Sequence, residues 1–355
     1  KYHRPRGIFT AGSEEPNALV QLRSGAHQEP NTRATVTELF DGLTATSQNH
    51  RGSLEFDFMA VTDLLSPFLS AGFYYKTFMW PKAFWEKIYE PIIRSSAGLG
   101  SLSMQEDPDI YDKGFLHCDL LVIGSGPAGL AAALSAARSG AQVILADEDY
   151  HAGGRLNAET YDIDGISGSD WAAQSLAELS SIGNVRVMVR TTVYGAYDHG
   201  VFGALERCTD HLASSDGKPR QVLWRIYSKR SLLSAGATER PIAFGNNDRP
   251  GIMLAGAVRT YVNRYGVSPG KQVAIFTNND DGWRTATDLA AKGVDISAVI
   301  DARDIEPPAS VPGAAVYMGS SVVDTAGRKG LRAITLASGE RLEADCLAVS
   351  GGWNP

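Results

Sequence analysis

The chain has 355 residues, 43% of them apolar, and a formal net charge of −7. A large core can be buried and two or more domains are expected, while the acidic balance argues against nucleic acid or an anionic membrane as a partner. No window reaches the roughly 20 apolar residues of a membrane span, and no secretory leader precedes Lys1, so a cytoplasmic setting is expected.

In chain order, Gly7–Thr10 and Ala18–Leu22 read as short strands, and Thr35–Leu39 with Gly42–Ala45 as a further short pair. The basic cluster Lys1–Arg6 reads as a solvated or phosphate-facing loop. From Leu54 to Ile93 the composition changes: Phe56, Phe58, Phe68, Phe73, Tyr74, Tyr75, Phe78, Trp80, Phe84, Trp85 and Tyr89 crowd into one stretch. Packing on the protein's own core and an interface with another polypeptide both fit such a segment. Residues 82–89 read as one short helix, bounded by Trp80-Pro81 and Glu90-Pro91. Ser95–Ser103 and Asp107-Pro108-Asp109 read as a linker.

The strongest signal follows. Asp119-Leu120-Leu121-Val122-Ile123 suits a buried parallel strand, Gly124-Ser125-Gly126-Pro127-Ala128-Gly129 is a G-x-G-x-x-G turn, and Leu130–Arg138 is a helix ending at Gly140. In such a unit the first glycine permits the tight turn, the second admits a pyrophosphate, and the third lets the helix pack on the strand. The helix then directs its free N–H groups and positive dipole end at the phosphates. A second strand, Gln142–Ala146, ends in Asp147-Glu148-Asp149, near the spacing of a ribose-binding carboxylate. Three acidic residues would repel a ribose 2′-phosphate, so NAD or FAD fits better than NADP, and the motif does not separate those two.

Beyond it, Gly153-Gly154-Arg155 offers either a second approach to phosphate, with Arg155 countering its charge, or simply a turn. Asp170–Ile182 is a helix and Val185–Val189 a strand, which puts Val193 at the carboxyl edge of the parallel sheet. Val193–Tyr197, Gly203–Cys208 and Val222–Tyr227 read as an antiparallel meander. Residues 256–266 form a helix, and 271–276 open a second β-α-β unit with helix Thr285–Ala291 and strand Ile296–Ile300; Ala315–Met318 and Leu331–Leu336 supply more strands. Its turn, Thr277-Asn278-Asn279-Asp280-Asp281, lacks the close-approach glycines and sets two carboxylates where a pyrophosphate would lie, so this unit is not expected to bind a dinucleotide in the usual way. Cys118, Cys208 and Cys346 form no C-x-x-C pair, and Cys118 and Cys346 read as buried hydrophobes. No catalytic acid, base or nucleophile and no metal ligand set stands out. The chain opens inside an ordered segment and closes on a strand and glycine turn without a following helix, so the natural polypeptide is expected to extend past both ends.

Together these motifs resemble the two-dinucleotide-fold flavoprotein disulfide reductases. More specifically, Lys1–Gly7, Ala11–Ala18, Gly236-Ala237-Thr238-Glu239-Arg240-Pro241 and Asn247-Asp248-Arg249-Pro250-Gly251 resemble the alpha subunits of heterotetrameric sarcosine oxidases. The resemblance implies an α/β fold: a doubly wound parallel-sheet dinucleotide-binding domain with an inserted second β-α-β domain, preceded by the remnant of a small β-rich ferredoxin-like domain without its cluster cysteines. The divisions expected are 1–50, 51–116, 117–250 and 251–345, with 346–355 returning to the first dinucleotide domain. The resemblance further implies NAD on this chain, FMN between alpha and beta subunits, FAD in beta, and gamma and delta subunits completing the complex. Tetrahydrofolate would act in a region absent here. It assigns Gly124, Gly126, Pro127, Ala128 and Gly129 to the pyrophosphate, Asp147 and Glu148 to the adenosine ribose, Arg155 to the vicinity of the phosphates and the Val193 backbone to adenine.

Overall fold

In the computed structural model, which describes residues 5–64, 72 and 80–355, the amino-terminal unit is a three-stranded antiparallel sheet. Its strands are β1 (Leu19–Ser24), β2 (His27–Arg33) and β3 (Thr44–Ser47), in the order β2-β1-β3. The strand expected at Gly7–Thr10 is not formed, and Ala34–Val36 is a single 3-10 turn rather than half of a strand pair. β3 pairs with β1 instead.

Trp85–Tyr89 forms a π-helical turn that runs into α1 (Glu90–Ser96), so the helix extends past the limit expected at Glu90-Pro91. Pro91 is accommodated in its first turn, where no intrahelical N–H donor is needed. Five of the aromatics in this segment (Phe68, Phe73, Tyr74, Tyr75, Phe78), like Lys1–Arg4, lie outside the described residues. Of those described, Phe56, Phe58 and Trp80 are 61%, 66% and 82% exposed, and Trp85 and Tyr89 are half-buried.

The first dinucleotide unit contains β4 (Tyr111–Ile123), α2 (Pro127–Arg138), β5 (Val143–Ala146), α3 (Gly168–Ser181) and β6 (Val185–Met188). The meander adds β7 (Thr191–Tyr197), β8 (Val201–Arg207) and β9 (Gln221–Leu233). All six strands form one sheet, ordered β6-β5-β4-β9-β8-β7. β4, β5 and β6 run parallel. β9 is the last strand of the antiparallel meander, yet it continues to Leu233 and pairs parallel with β4. Val193 therefore lies on β7, the antiparallel edge strand, and not at the end of a parallel one. The carboxyl-terminal part of β4 is covered on both faces, which explains its unbroken apolar run: Val122 packs with Leu130, Leu134 and Leu145 under the helices, and Leu121 with Ile144, Phe202 and Ile226 on the other side.

The second unit begins at β10 (Ile252–Leu254), which leads directly into α4 (Ala255–Asn263). There follow β11 (Gln272–Thr277), α5 (Asp280–Ala291), β12 (Asp295–Asp301) and β13 (Ala315–Met318). An antiparallel trio comes next, β14 (Val322–Ala326), β15 (Ala333–Leu336) and β16 (Arg341–Glu343), and then β17 (Cys346–Ser350). The five-stranded parallel sheet is ordered β10-β17-β11-β12-β13. Residues 346–350 thus lie between β10 and β11 in the second sheet and do not return to the first unit. The return is made by Trp353–Asn354, which pair antiparallel with Thr238–Glu239. Cys118 and Cys346 are buried, as expected of small hydrophobes, and no shift toward a thiolate favours either: burial pushes both thiols up, Cys346 to about 12.

Candidate dinucleotide-binding site

The turn between β4 and α2 is set by three glycines with three different physical causes. Gly124 has φ +100°, and a Cβ there would lie 2.3 Å from the Ser234 carbonyl oxygen. A Cβ on Gly129 would fall 1.9 Å from the Gly124 carbonyl oxygen, so helix and strand touch through backbone alone. Gly126 differs. Its φ of −65° and ψ of −179° suit any residue, and a Cβ there meets nothing within 4 Å. Nothing inside the protein requires glycine at 126. Open space over a bare backbone is what a pyrophosphate needs.

α2 starts at Pro127 with Gly126 as its N-cap and no side-chain cap. The first-turn N–H groups of a helix have no partner within it, so an uncapped start is a ready anion site. The turn is braced from below. Gly153, at φ +123°, donates its N–H to the Ser125 carbonyl (3.0 Å), and Gly154 packs so closely that a Cβ would reach 3.1 Å from the Gly126 Cα.

Asp147 follows β5 directly, with its backbone fixed by Met188 and Thr191. Its Oδ2 accepts hydrogen bonds from the Ser125 N–H and hydroxyl, both 2.6 Å, and its Oδ1 accepts from the Asp149 N–H at 2.8 Å. The acidic strand end and the glycine turn therefore form one connected structure. Glu148, exposed beside it, has its backbone carbonyl held by Arg207 (2.9 Å) and its Oε1 by the Ser13 hydroxyl (2.6 Å). Asp149 is taken by a bidentate pair with Arg264 at 2.6 and 3.0 Å. Val193 lies two residues beyond Thr191, whose N–H donates to the Asp147 carbonyl at 2.7 Å, so the β7 backbone passes close to the acidic end.

Arg155 is engaged elsewhere. Its guanidinium binds Glu159 at 2.6 Å, reaches Asp281 of the second unit at 3.4 Å, and stacks 3.8 Å above the Trp353 ring. It joins a charge cluster that the sequence reading missed, centred on Arg259. That side chain is 1% exposed and contacts Glu159 at 2.7 Å and Asp281 at 2.8 Å. Burial works against the Asp281 charge, but Arg259 and Arg155 outweigh it and hold the carboxyl below its ordinary range. Because Arg259 stands 100 positions from Glu159, no local pattern announces the contact.

The equivalent positions in the second unit are filled by its own side chains. Asn279 caps α5 by accepting from the Asp281 N–H, and its amide donates to the Ser350 carbonyl at 3.0 Å. Asp301, the acidic residue ending β12, is fully buried, accepting from Trp283 Nε1 at 2.8 Å and from Arg303. Neither an open helix start nor a free strand-end carboxylate is offered there.

Residues 1–50 match the family described as a 2Fe-2S iron-sulfur cluster binding domain, and residues 119–190 match FAD dependent oxidoreductases. Residues 1–50 contain no cysteine, so they lack the thiolates such a cluster needs. The alpha subunit of sarcosine oxidase from Rhizobium meliloti (strain 1021) is 54% identical over 362 residues, which is 100% of this chain and 36% of the relative. Its counterpart from Corynebacterium sp. (strain U-96) is 41% identical over 99% of this chain and 34% of its own length. The chain therefore spans about a third of the length of these curated relatives. An opine oxidase subunit from Agrobacterium tumefaciens (strain Ach5) is 32% identical over 52% of this chain and 36% of its own length. Among solved structures, L-proline dehydrogenase from P. horikoshii shares the fold with TM-score 0.63 and 18% identity, over 99% of this chain and 53% of that one. T. acidophilum thioredoxin reductase follows at 0.51 and 17%, over 67% and 78%.

Proposed function

Since the chain belongs over its whole length to the sarcosine oxidase alpha-subunit family, we propose that it is the NAD-binding part of such a subunit in a flavin-dependent amine oxidase. The observation that carries this reading is the pairing of an uncapped helix start with a glycine, Gly126, whose bareness serves only a ligand. The backbone N–H groups of Gly126, Ala128 and Gly129 would hold the pyrophosphate, with Gly124 and Pro127 shaping the turn around it. Asp147 and Glu148 would take the adenosine ribose, the β7 backbone at Val193 would meet adenine, and Arg155 would act near the phosphates only through the turn it stabilises. Bound there, NAD would supply a nicotinamide able to accept or release a hydride.

Cys118, Cys208 and Cys346 are all free thiols, and the chain has no redox disulfide for reductase chemistry. Amine oxidation, on this reading, takes place on a partner polypeptide. On this reading sarcosine, O2 and tetrahydrofolate become glycine, H2O2 and 5,10-methylenetetrahydrofolate in a cytoplasmic heterotetramer. FAD is in beta, FMN lies between alpha and beta, and gamma and delta complete the assembly. The exposed aromatics at 56, 58 and 80 support a segment covered by a partner over core packing.

A second reading is favoured by the opine oxidase similarity: the alpha subunit of an opine, D-hydroxyproline or other secondary-amine dehydrogenase, or a scaffold whose NAD is structural. The test is sarcosine-dependent peroxide formation by the assembled complex, followed together with the absorbance of the bound nicotinamide. Peroxide with sarcosine supports the first reading, and turnover with an opine alone supports the second. Peroxide formation with no nicotinamide reduction assigns NAD a structural role.

A further inference from the structure

Between Phe9 and Ala18 the amino-terminal unit makes an irregular loop of turns and bends around one buried carboxylate. Glu15 is 1% exposed. Its Oε2 accepts from the Phe9 N–H (2.9 Å), the Thr10 N–H (2.6 Å) and the Thr10 hydroxyl (3.1 Å). Its Oε1 accepts from the Asn17 and Ala18 N–H groups at 2.8 and 3.1 Å. A charged acceptor shared by five donors fixes a loop that has no ladder of its own.

The loop is also held from two sides. The Phe9 carbonyl accepts from the Leu254 N–H (2.9 Å) and the Thr10 carbonyl from the Tyr261 hydroxyl (3.3 Å), both in the second unit, where Phe9 and Ala11 pack against the core. Thr35 donates to the Gly12 carbonyl at 2.6 Å, and Arg33 to the Glu15 carbonyl at 3.3 Å. What this fixed loop presents is Ser13, whose hydroxyl reaches Glu148 Oε1 at 2.6 Å across 135 positions of sequence.

We propose that Ser13 is a positioning residue of the nucleotide site, set in place by the Glu15-centred loop to orient the Glu148 carboxylate toward the adenosine ribose. The inference rests on the nucleotide reading of the β4–α2 turn. An exposed glutamate otherwise samples several rotamers, and ordering it on binding weakens the complex. The Ser13 hydroxyl holds one oxygen in advance and leaves the other to accept from a ribose hydroxyl. Residues 1–50, which carry no cysteine, thereby acquire a role at the adenosine end.

The test titrates ADP into the complete protein, stripped of nucleotide, by calorimetry. Ser13→Ala should weaken ADP binding roughly three- to tenfold, the effect of losing one ordinary exposed hydrogen bond. Ser13→Thr should retain it, and thermal unfolding of the nucleotide-free Ser13→Ala variant should match the wild type. In a Glu148→Ala background Ser13→Ala should have no further effect, because the residue acts through that carboxylate. Unchanged affinity in Ser13→Ala, or the same loss in both backgrounds, would overturn the inference. Wild-type protein that takes no ADP at all would instead overturn the nucleotide reading, and this inference with it.

Discussion

At Gly126 the missing side chain has no internal cause, whereas at Gly124 and Gly129 backbone oxygens stand within 2.3 and 1.9 Å of any Cβ. These three residues, equivalent in the motif, should therefore respond differently to substitution. Gly126→Val should fold with a melting temperature near that of the wild type and bind no nucleotide. Gly129→Ala should lose stability, by about 1–3 kcal/mol for overpacking, before any effect on binding can be read. Thermal unfolding paired with nucleotide content distinguishes the two. Retained stoichiometric nucleotide in Gly126→Val would count against the pyrophosphate position. Asp147→Ala should do both things at once. It removes the acceptor for the Ser125 N–H, the Ser125 hydroxyl and the Asp149 N–H, which should cost about 1–3 kcal/mol, and it should weaken NAD binding. An unchanged affinity would dismiss its ribose role. The motif alone suggests only the second effect, because the hydrogen bonds that tie Asp147 to the turn are invisible in spacing.

Among elements, the strand, turn and helix of the β4–α2 unit were legible because each signal is local: β-branched run, glycines, helix formers. The bonds that hold elements together were not. Arg259 looks like any polar residue on a helix, yet it is buried where α4 faces α5, balancing Glu159, Asp281 and, at 3.9 Å, Asp288. Arg259→Met should destabilise the protein by about 3–5 kcal/mol at neutral pH, because it leaves the half-exposed Arg155 as the remaining counter-charge for Glu159 and Asp281. The Asp281 carboxyl is held low by Arg259 and Arg155 against the effect of burial, so its contribution is present above the ordinary carboxylate range. It is lost as pH falls through the lowered native value. The deficit of the variant should therefore shrink toward acid pH, as urea unfolding at neutral and acid pH would reveal; a deficit independent of pH would mean packing, and not charge, is what Arg259 supplies.

For the whole molecule, the two-unit architecture could be inferred from the repeated strand-turn-helix pattern. The placement of Cys346–Ser350 could not: a strand's sheet partners depend on where the chain has already been, and β10 and β11 both offer an edge. The joint between the units contains Glu239, 5% exposed, accepting from the Gly256 N–H at 2.7 Å and facing Ser350, Arg259 and Asp281. Burial pushes its carboxyl up to about 7, so its stabilising contribution is full below the ordinary carboxyl range and is lost as pH rises through about 7. Glu239→Gln, which stays neutral, should flatten the decline in stability across that window, a decline on the order of 3 kcal/mol at most. An identical slope in both proteins would show that another group titrates there. The central claim remains that an adenine dinucleotide spans the start of α2. Its most direct test is denaturation of the purified complete protein and mass identification of the nucleotide released: NAD, close to one per chain and missing from Gly126→Val, is the result expected. Release of no nucleotide from the wild type, or equal release from both proteins, would contradict it.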